Sequence, residues 1–337
     1  MKEFTYKRIA IVKLSAMGDI IHAMVALQFI KEKYPNLIID WVVEKSFSEI
    51  LKYNPHIDNI IEVDLKSIKK KKSNIFNQIK LIKSYSSNDY DLIIDAQGLF
   101  KSAIVSKLLG KNVIGYDKNS IREKIATWFY KYKINVPYSE NVIVRNIKVL
   151  CSLFDINPSM EDIKNKKSFI FFKENNNLQR YISKEKKNII FVIGASWKSK
   201  MYPKEKFINI ANSLDENILI IWGNDSEKEI ALEISSKSKA IIIEKISLND
   251  LKCLVSKVDL VVGNDTGPTH LAWASNIKSI TLFGNTPGYR NTFVSNNNRV
   301  IQSNKIINPN KIDKNDFCIN EIKEEEILKD MEILLNG

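Results

Sequence analysis

The feature that most constrains the fold of this chain is a repeated alternation of short β-branched runs with longer amphipathic segments. Such alternation of strand and helix patterns is typical of parallel α/β folds. The runs of the first half are Arg8–Leu14, Leu37–Val43, Asn59–Val63, Asp91–Asp95 and Asn112–Gly115, and those of the second half are Asn188–Ile193, Asn217–Trp222, Ala240–Ile243, Leu260–Gly263 and Ser279–Phe283. The pattern predicts two Rossmann-like, doubly wound α/β domains. Because ligands of such sheets bind at the carboxyl ends of the strands, we expect the two domains to face a central cleft.

The helix patterns and their spacing give the domain organisation. They cover Ile20–Tyr34, Phe47–Tyr53, Asn74–Ser84, Phe100–Leu109 and Ile121–Tyr132, then Lys204–Leu214, Ser226–Ser236, Leu248–Ser256 and Thr269–Asn276. The pattern weakens between Pro158 and Lys187, and 337 residues suit two domains. We therefore predict domains over residues 1–165 and 180–320. The remaining residues, 321–337, contain an amphipathic helix pattern at Glu321–Leu335, and one arrangement for it is packing back on the first domain.

Charge and the scarcity of metal-binding side chains limit the classes of function. The chain carries 51 Lys and Arg against 39 Asp and Glu, and this net charge of +12 favours an anionic partner. It contains neither a run of about 18 apolar residues nor a secretory signal, so we expect a cytoplasmic protein. Three cysteines and three histidines are scattered along the chain, which argues against a disulfide framework and a metal site. No cofactor is expected.

Asp19 follows a short loop, residues 15–18, that separates the first strand pattern from a helix pattern. In a doubly wound domain this position lies at the mouth of the ligand-binding crevice. Aspartate is also favoured in the first turn of a helix, so a capping role alone is an alternative explanation. The absence of a GxGxxG motif disfavours a dinucleotide site.

A second strand-to-helix loop brings Asp265, Thr266, Gly267 and His270 into a short stretch. The backbone N–H groups from Thr266 to Thr269 are expected to point out of the helix start, and such a helix start binds phosphate. The alternative is an ordinary capped helix with Asp265 as its cap.

Two more loops of the second half carry candidate ligands for a nucleotide. Ser196 and Lys200 follow the strand pattern that begins at Asn188, and a lysine there can neutralise a leaving diphosphate. Glu227 follows the next strand pattern, where a carboxylate can accept ribose hydroxyl groups. A solvated basic loop and a helix cap are the corresponding alternatives.

Two basic elements of the first half suit an anionic surface. One is Lys66 with the four lysines at positions 69–72, and the other, residues 122–133, combines cations with aromatic residues at helical spacing. Either element is equally consistent with a solvated charged face.

Together these segments resemble the bacterial lipopolysaccharide heptosyltransferases, family 9 of the glycosyltransferases. The most specific motifs are Ser15-Ala16-Met17-Gly18-Asp19, Asp95-Ala96-Gln97-Gly98-Leu99 with Lys101 and Ser102, Lys200-Met201-Tyr202-Pro203, and Asp265-Thr266-Gly267 with His270. The Asp-Ala-Gln-Gly segment and Asp40-Trp41-Val42-Val43-Glu44 are similar to the members that add the first heptose. Members that add the second heptose differ in the loop after their first strand and remain the alternative.

For the donor, the resemblance implies a GT-B fold and inverting transfer from ADP-L-glycero-β-D-manno-heptose, bound by the second domain. Asp19 matches the general base, which takes the proton of the attacking acceptor hydroxyl group. Lys200 matches a catalytic lysine at the diphosphate. The positions that match donor-binding residues are Ser196, Lys200, Glu227 (ribose), Ile246 (adenine), Asp265 (heptose), Thr266, Gly267 and His270.

For the acceptor, the resemblance implies a Kdo sugar on lipid A, bound by the first domain. The matching positions are Ser15, Met17, Gly18, Lys66, Lys69, Lys70, Lys101 and Arg122. We accordingly expect peripheral association with the anionic cytoplasmic face of the inner membrane, and no nucleic-acid partner.

The chain departs from the family pattern in three places. Gly194-Ala195 stands where relatives often carry His-Ala, Pro268 differs from the residues common there, and the segment from Met1 to Lys7 is slightly longer.

Other functions compete with transfer. A sugar-nucleotide epimerase on this architecture needs a different set of carboxylates and histidines, and a nucleotide-sugar-binding protein without catalysis does not need Asp19.

Overall fold

The computed structural model describes residues 6–336, with the side chains of Lys69 and Lys70 outside the described part. The chain divides into two compact units, of which the first ends at Phe171 and the second begins at Phe172. Each unit contains its own parallel sheet with helices around it.

The sheet of the first unit has six strands in the order 3-2-1-4-5-6 within the described residues. They are β1 (Arg8–Val12), β2 (Ile38–Glu44), β3 (Asn59–Val63), β4 (Leu92–Asp95), β5 (Val113–Tyr116) and β6 (Tyr132–Ile134). The central strands β1 and β4 are largely buried runs of Ile, Val and Leu, as a sheet covered on both faces requires. Because the strand order reverses between β1 and β4, their carboxyl ends border the natural ligand crevice of this unit.

The helices of the first unit cover the two faces of this sheet. They are α1 (Met17–Met24), α2 (Ala26–Lys33), α3 (Leu65–Lys70), α4 (Asn74–Ser84), α5 (Phe100–Leu109), α6 (Val142–Cys151) and α7 (Met160–Lys164), with 3-10 helices at Lys45–Ile50, Tyr85–Asn88 and Lys124–Phe129. Helices α1 and α2 pack against α6, and α4 packs against α5.

The second unit repeats the same topology with its own strands. Its described strands are β7 (Asn188–Val192), β8 (Asn217–Ile221), β9 (Ile241–Ile242), β10 (Leu260–Asn264), β11 (Lys278–Phe283) and β12 (Asn298–Gln302), paired in the order 12-11-10-7-8-9. The reversal point lies between β7 and β10, which correspond to β1 and β4. The prediction of two Rossmann-like, doubly wound domains is confirmed.

The helices of the second unit include the C-terminal one. They are α8 (Lys204–Ser213), α9 (Asp225–Ser236), α10 (Leu248–Val255), α11 (Gly267–Ala274), α12 (Gly288–Asn291) and α13 (Glu324–Asn336), with 3-10 helices at Asn176–Tyr181, Lys198–Lys200 and Cys318–Glu321. Helix α13 packs on α8 and on the sheet of its own unit, and it buries Ile327, Met331 and Leu334 there. Its apolar face therefore belongs to the second core, which differs from the suggested packing on the first domain.

The segment predicted as a helix over Ile121–Tyr132 has a different structure. A 3-10 helix spans Lys124–Phe129, and the chain then joins the sheet edge as β6. Tyr130 causes part of this change, because its hydroxyl donates to the buried Asp95 carboxylate at 2.7 Å and fixes the chain against the sheet. The aromatic residues consequently do not share one face: the exposed fraction is 80% for Trp128 and 5% for Tyr130.

Other differences concern the bounds of two predicted helices and elements that the sequence patterns did not reveal. The pattern over Ile20–Tyr34 forms two consecutive helices, α1 and α2, that meet at Val25, and Phe47–Tyr53 contributes only the end of a 3-10 helix. Strands β6 and β12 and helices α3, α6, α7 and α12 were not predicted. Helix α6 begins at an Asn141 cap, whose side chain accepts from the Ile143 N–H at 2.9 Å.

Candidate functional site

At the carboxyl end of β10, the chain turns through Asp265 and Thr266 into helix α11. Thr266 is the N-cap residue, and its side chain makes no capping hydrogen bond. The Thr269 hydroxyl instead donates to the Asn264 carbonyl at 2.8 Å, which fixes the first turn. The N–H groups at the start of α11 therefore remain available for an anion, which the positive end of the helix dipole favours.

Lys200 and Asp265 form a buried ion pair beside this helix start. Lys200 Nζ lies 2.5 Å from Asp265 Oδ2, and the exposed fractions of the two residues are 7% and 6%. The Thr286 hydroxyl donates to the same oxygen at 3.0 Å, and His270 Nε2 lies 3.1 Å from Asp265 Oδ1. Burial pushes the pKa of Asp265 upward, but the Lys200 ammonium and His270 outweigh it and hold that pKa below its usual value. The carboxylate is thus charged and fixes the lysine at the helix start.

Asn264 is the last residue of β10, and its side chain connects the end of this strand to the loop that carries Lys200. Its side-chain amide donates to the Ile193 carbonyl at 2.7 Å, and its carbonyl oxygen accepts from the Tyr202 N–H at 2.9 Å. The side chain is completely buried, so these bonds have no competition from water. Asn264 sets the position of Lys200, a role that the spacing of the motif did not reveal.

Glu227 lies against the end of β7, beside the loop that carries Ser196. Its carboxylate accepts from the Gly223 N–H at 2.7 Å and from the Asn224 side chain at 2.8 Å. A Cβ atom on Gly194 would lie 2.3 Å from Glu227 Cδ, so only glycine leaves the carboxylate in this place. The departure from the family pattern at Gly194 is therefore coupled to the position of the candidate ribose ligand.

The other two donor candidates lie in loops of the second unit. Ser196 is exposed in the loop that also carries Lys200, and Ile246 is half-buried between β9 and α10. Of the predicted donor residues, the structure joins Lys200, Asp265 and His270 by direct contacts, with Thr266 and Gly267 at the adjoining helix start. Glu227 is placed at the neighbouring strand end.

In the first unit, Asp19 lies in the first turn of α1, next to the carboxyl end of β1. Its Oδ2 atom accepts from the Ala16 N–H at 3.2 Å, so the expected capping role exists. Within the described residues, no cationic side chain lies within 4.0 Å of this carboxylate, and its second oxygen remains available to a hydroxyl group. Capping and proton acceptance are compatible because they use different oxygen atoms.

The loop that leads to Asp19 is supported by Gln97 from the neighbouring strand end. The Gln97 side-chain oxygen accepts from the Leu14 N–H at 3.0 Å and from the Ser15 N–H at 3.1 Å. Gln97 is itself held by Asp95, which accepts from the Gln97 N–H at 2.9 Å and from the Ser102 hydroxyl. Sequence reasoning used Asp95 and Gln97 only as a motif, and their part in supporting the Asp19 loop emerges from contacts across more than 80 residues.

The predicted acceptor residues occupy several places in the first unit. Ser15, Met17 and Gly18 lie directly before Asp19 in the loop and at the start of α1, whereas Lys66, Lys101 and Arg122 are exposed on other loops and helices. Lys66 Nζ donates to the Ser46 hydroxyl at 2.9 Å and lies 4.6 Å from the centroid of the Phe47 ring. The side chains of Lys69 and Lys70 lie outside the described residues.

No group of three or more His, Cys, Asp or Glu side chains in residues 6–336 is arranged to hold a metal ion. None of the helices in that range is both long and apolar enough to span a bilayer. The three cysteines are buried and unpaired with one another.

Comparison with known proteins places this chain in a family. The model of glycosyltransferase family 9 (heptosyltransferase) matches residues 78–320. Lipopolysaccharide heptosyltransferase 1 of Campylobacter coli is 40% identical over 96% of this chain and 97% of its own length. Among solved structures, the E. coli heptosyltransferase WaaC with ADP superposes with a TM-score of 0.78 at 23% identity, covering 97% of this chain and 99% of that one. The same enzyme with ADP-2-deoxy-2-fluoro heptose gives a TM-score of 0.76 at 23% identity, covering 96% and 99%.

The chain belongs to glycosyltransferase family 9, the heptosyltransferases. The resemblance drawn from its motifs is confirmed, and so is the two-domain GT-B fold.

Proposed function

We propose that this protein is the inverting transferase that moves L-glycero-D-manno-heptose from ADP-heptose to the Kdo residue of Kdo-lipid A, the first heptose of the lipopolysaccharide inner core. The observation that carries the proposal is the buried Lys200–Asp265 pair at the start of α11. A fixed cation and an open helix start are what the departing ADP diphosphate requires. The 40% identity to a lipopolysaccharide heptosyltransferase 1 supports the choice of sugar and acceptor.

On the donor side, the second unit would bind ADP-heptose through its strand-end loops. The diphosphate would accept hydrogen bonds from Lys200 and from the N–H groups near Thr266 and Gly267, with the Ser196 hydroxyl as an additional donor. Glu227 would accept from the ribose hydroxyls, and Ile246 would pack on adenine. Asp265 would contact the heptose, with His270 as its neighbour. As the bond between the anomeric carbon and the diphosphate oxygen breaks, Lys200 and the helix start stabilise the negative charge that develops on ADP.

On the acceptor side, Asp19 would act as the general base. The Kdo hydroxyl oxygen attacks the anomeric carbon from the face opposite the diphosphate, and its proton passes to the free oxygen of the Asp19 carboxylate. ADP leaves with the electron pair of the broken bond, so the configuration at the anomeric carbon inverts. Gln97 would maintain the loop on which this base depends.

Cationic residues of the first unit would engage the anionic parts of the acceptor and of the membrane that contains it. Lys66, Lys101 and Arg122, with Lys69 and Lys70, are the candidates, and no acidic residue occurs in the sequence between Asp64 and Asp89. Such a segment is attracted to anionic lipid headgroups. The protein would then work in the cytoplasm, on the inner face of the inner membrane.

A vesicle experiment tests this membrane binding. The protein should cosediment with phosphatidylglycerol vesicles at low salt and be released at high salt. Retention of the protein in the supernatant at low salt would contradict membrane binding.

An acceptor comparison tests the proposed reaction. Purified protein and ADP-heptose are incubated with Kdo-lipid A or with the same acceptor already carrying one heptose, and the products are weighed by mass spectrometry. The proposal expects one heptose added to Kdo-lipid A and none to the second acceptor. The reverse pattern would identify a transferase for the second heptose, and ADP-heptose binding without any transfer would identify a nucleotide-sugar-binding protein.

A further inference from the structure

A second lysine approaches the site from a segment that the sequence motifs did not include. Lys200 Nζ lies 5.0 Å from the centroid of the Trp197 ring, and Lys314 Nζ lies 5.0 Å from the centroid of the same ring. The two ammonium nitrogens are therefore at most 10.0 Å apart. Lys314 belongs to residues 303–317, the long connection that follows β12.

The backbone around Lys314 is fastened to the loop that carries Lys200. The Ser199 hydroxyl donates to the Lys314 carbonyl at 2.6 Å. The Asn285 side chain donates to the Asp313 carbonyl at 2.7 Å and to the Ser199 hydroxyl at 2.8 Å. Ser199 and Asn285 are both buried. These bonds hold the backbone of Lys314 beside Trp197. The side chain of Lys314 takes part in none of them.

The charges around Trp197 are not balanced within the protein. Lys200 is paired with Asp265, but among the described residues no carboxylate lies within 4.0 Å of the Lys314 ammonium. The indole N–H of Trp197 is also buried without a hydrogen-bond acceptor in the described part of the chain. Beside Lys200 and the start of α11, Lys314 thus provides an unneutralised cation and Trp197 an unsatisfied N–H donor. An anion with several acceptor oxygens is complementary to both.

We propose that Lys314 and Trp197 complete the diphosphate site of the donor. Lys314 would supply a second positive charge to the phosphoryl oxygens, and a small turn of the indole would let its N–H donate to one of them. The segment 303–317 would thereby contribute a ligand to a site otherwise built from the ends of β7 and β10. This inference rests on the proposed function, because it assumes that a nucleoside diphosphate binds beside Lys200.

The test compares nucleotide binding by Lys314→Met with that of a matched control, Lys311→Met. Lys311 is an exposed lysine three positions earlier on the same segment. Calorimetric titration is carried out with ADP, which carries the diphosphate, and with adenosine, which does not. We expect Lys314→Met to weaken ADP binding by about tenfold or more, the effect of losing a charge-assisted bond, and to leave adenosine binding unchanged. Trp197→Phe, which keeps the ring and removes the N–H group, should weaken ADP binding by a smaller factor.

The possible results separate the role of Lys314 from the proposed function. Equal ADP affinity in Lys314→Met, Lys311→Met and the unaltered protein would overturn the role of Lys314 and leave the transferase function intact. Equal losses in both lysine variants would also overturn it, because they would indicate a general effect of net charge. Failure of the unaltered protein to bind ADP would overturn both the inference and the proposed function.

Discussion

Replacement of Lys200 by methionine should show how the buried pair holds the site together. The substitution keeps most of the side-chain volume and removes the ammonium group that lies 2.5 Å from Asp265. It leaves a buried carboxylate without its cation, a change that costs about 3–5 kcal/mol of folding free energy at neutral pH. Lys198→Met is the control, because Lys198 is exposed in the same loop and should change stability by less than about 0.5 kcal/mol.

The pH dependence of this loss follows from the pKa of Asp265. In the unaltered protein that pKa is lowered, so its contribution to stability is complete above the unfolded-state value of 3.8 and is lost only as pH falls through the lower folded value. In Lys200→Met, burial would dominate and raise the pKa of Asp265 above its unfolded value. Its carboxyl group would then take up a proton on mild acidification, and the penalty for burying the charge would disappear. The destabilisation should therefore be large near pH 7 and smaller near about pH 4.5.

Urea unfolding followed by circular dichroism at both pH values measures this difference. The double variant Lys200→Met, Asp265→Asn should be more stable at neutral pH than Lys200→Met alone, since it no longer buries an unpaired charge. A loss of stability that is the same at both pH values, or that the second substitution increases, would refute the assignment of the effect to the Asp265 charge.

Two further substitutions address positions around the reacting groups. Gln97→Leu removes the acceptor of the Leu14 and Ser15 N–H groups, so kcat should fall about tenfold with little change in the KM for ADP-heptose. Gln97→Glu keeps an acceptor oxygen and should retain more activity. Equal kcat in Gln97→Leu and the unaltered protein would contradict this role of Gln97. Gly194→Ala should push the Glu227 carboxylate aside and raise the KM for ADP-heptose about tenfold. The Tm should change little, because the atoms that the new Cβ meets are the end of a flexible side chain. An unchanged KM would remove Glu227 from the ribose site.

Local sequence patterns predicted the elements whose signals do not depend on the rest of the fold. Helices α4 and α5 have the predicted bounds, Asn74–Ser84 and Phe100–Leu109. Gly110, directly after α5, is a residue type that commonly ends a helix. Helix α6 was missed because Val142–Cys151 is rich in β-branched residues. Such residues favour a strand locally, and packing against α1 and α2 overrides that preference.

The candidate site shows the same division between local and long-range information. The loops around Asp19 and Asp265 were predictable because each follows a strand pattern and contains residues suited to a helix start. The roles of Asn264, Gln97 and Lys314 were not, because each depends on contacts with residues distant in the sequence. A single sequence holds no periodicity that reports such contacts.

The most direct test of the central proposal is ADP release from ADP-heptose by the unaltered protein and by Asp19→Asn, with and without Kdo-lipid A. Asparagine retains a side-chain oxygen for the Ala16 N–H, so the loop should remain in place and ADP-heptose should bind with unchanged affinity. Loss of the general base should reduce acceptor-dependent ADP release by roughly 100-fold or more. Release that persists at the original rate in Asp19→Asn, or release that never depends on Kdo-lipid A, would contradict the proposal.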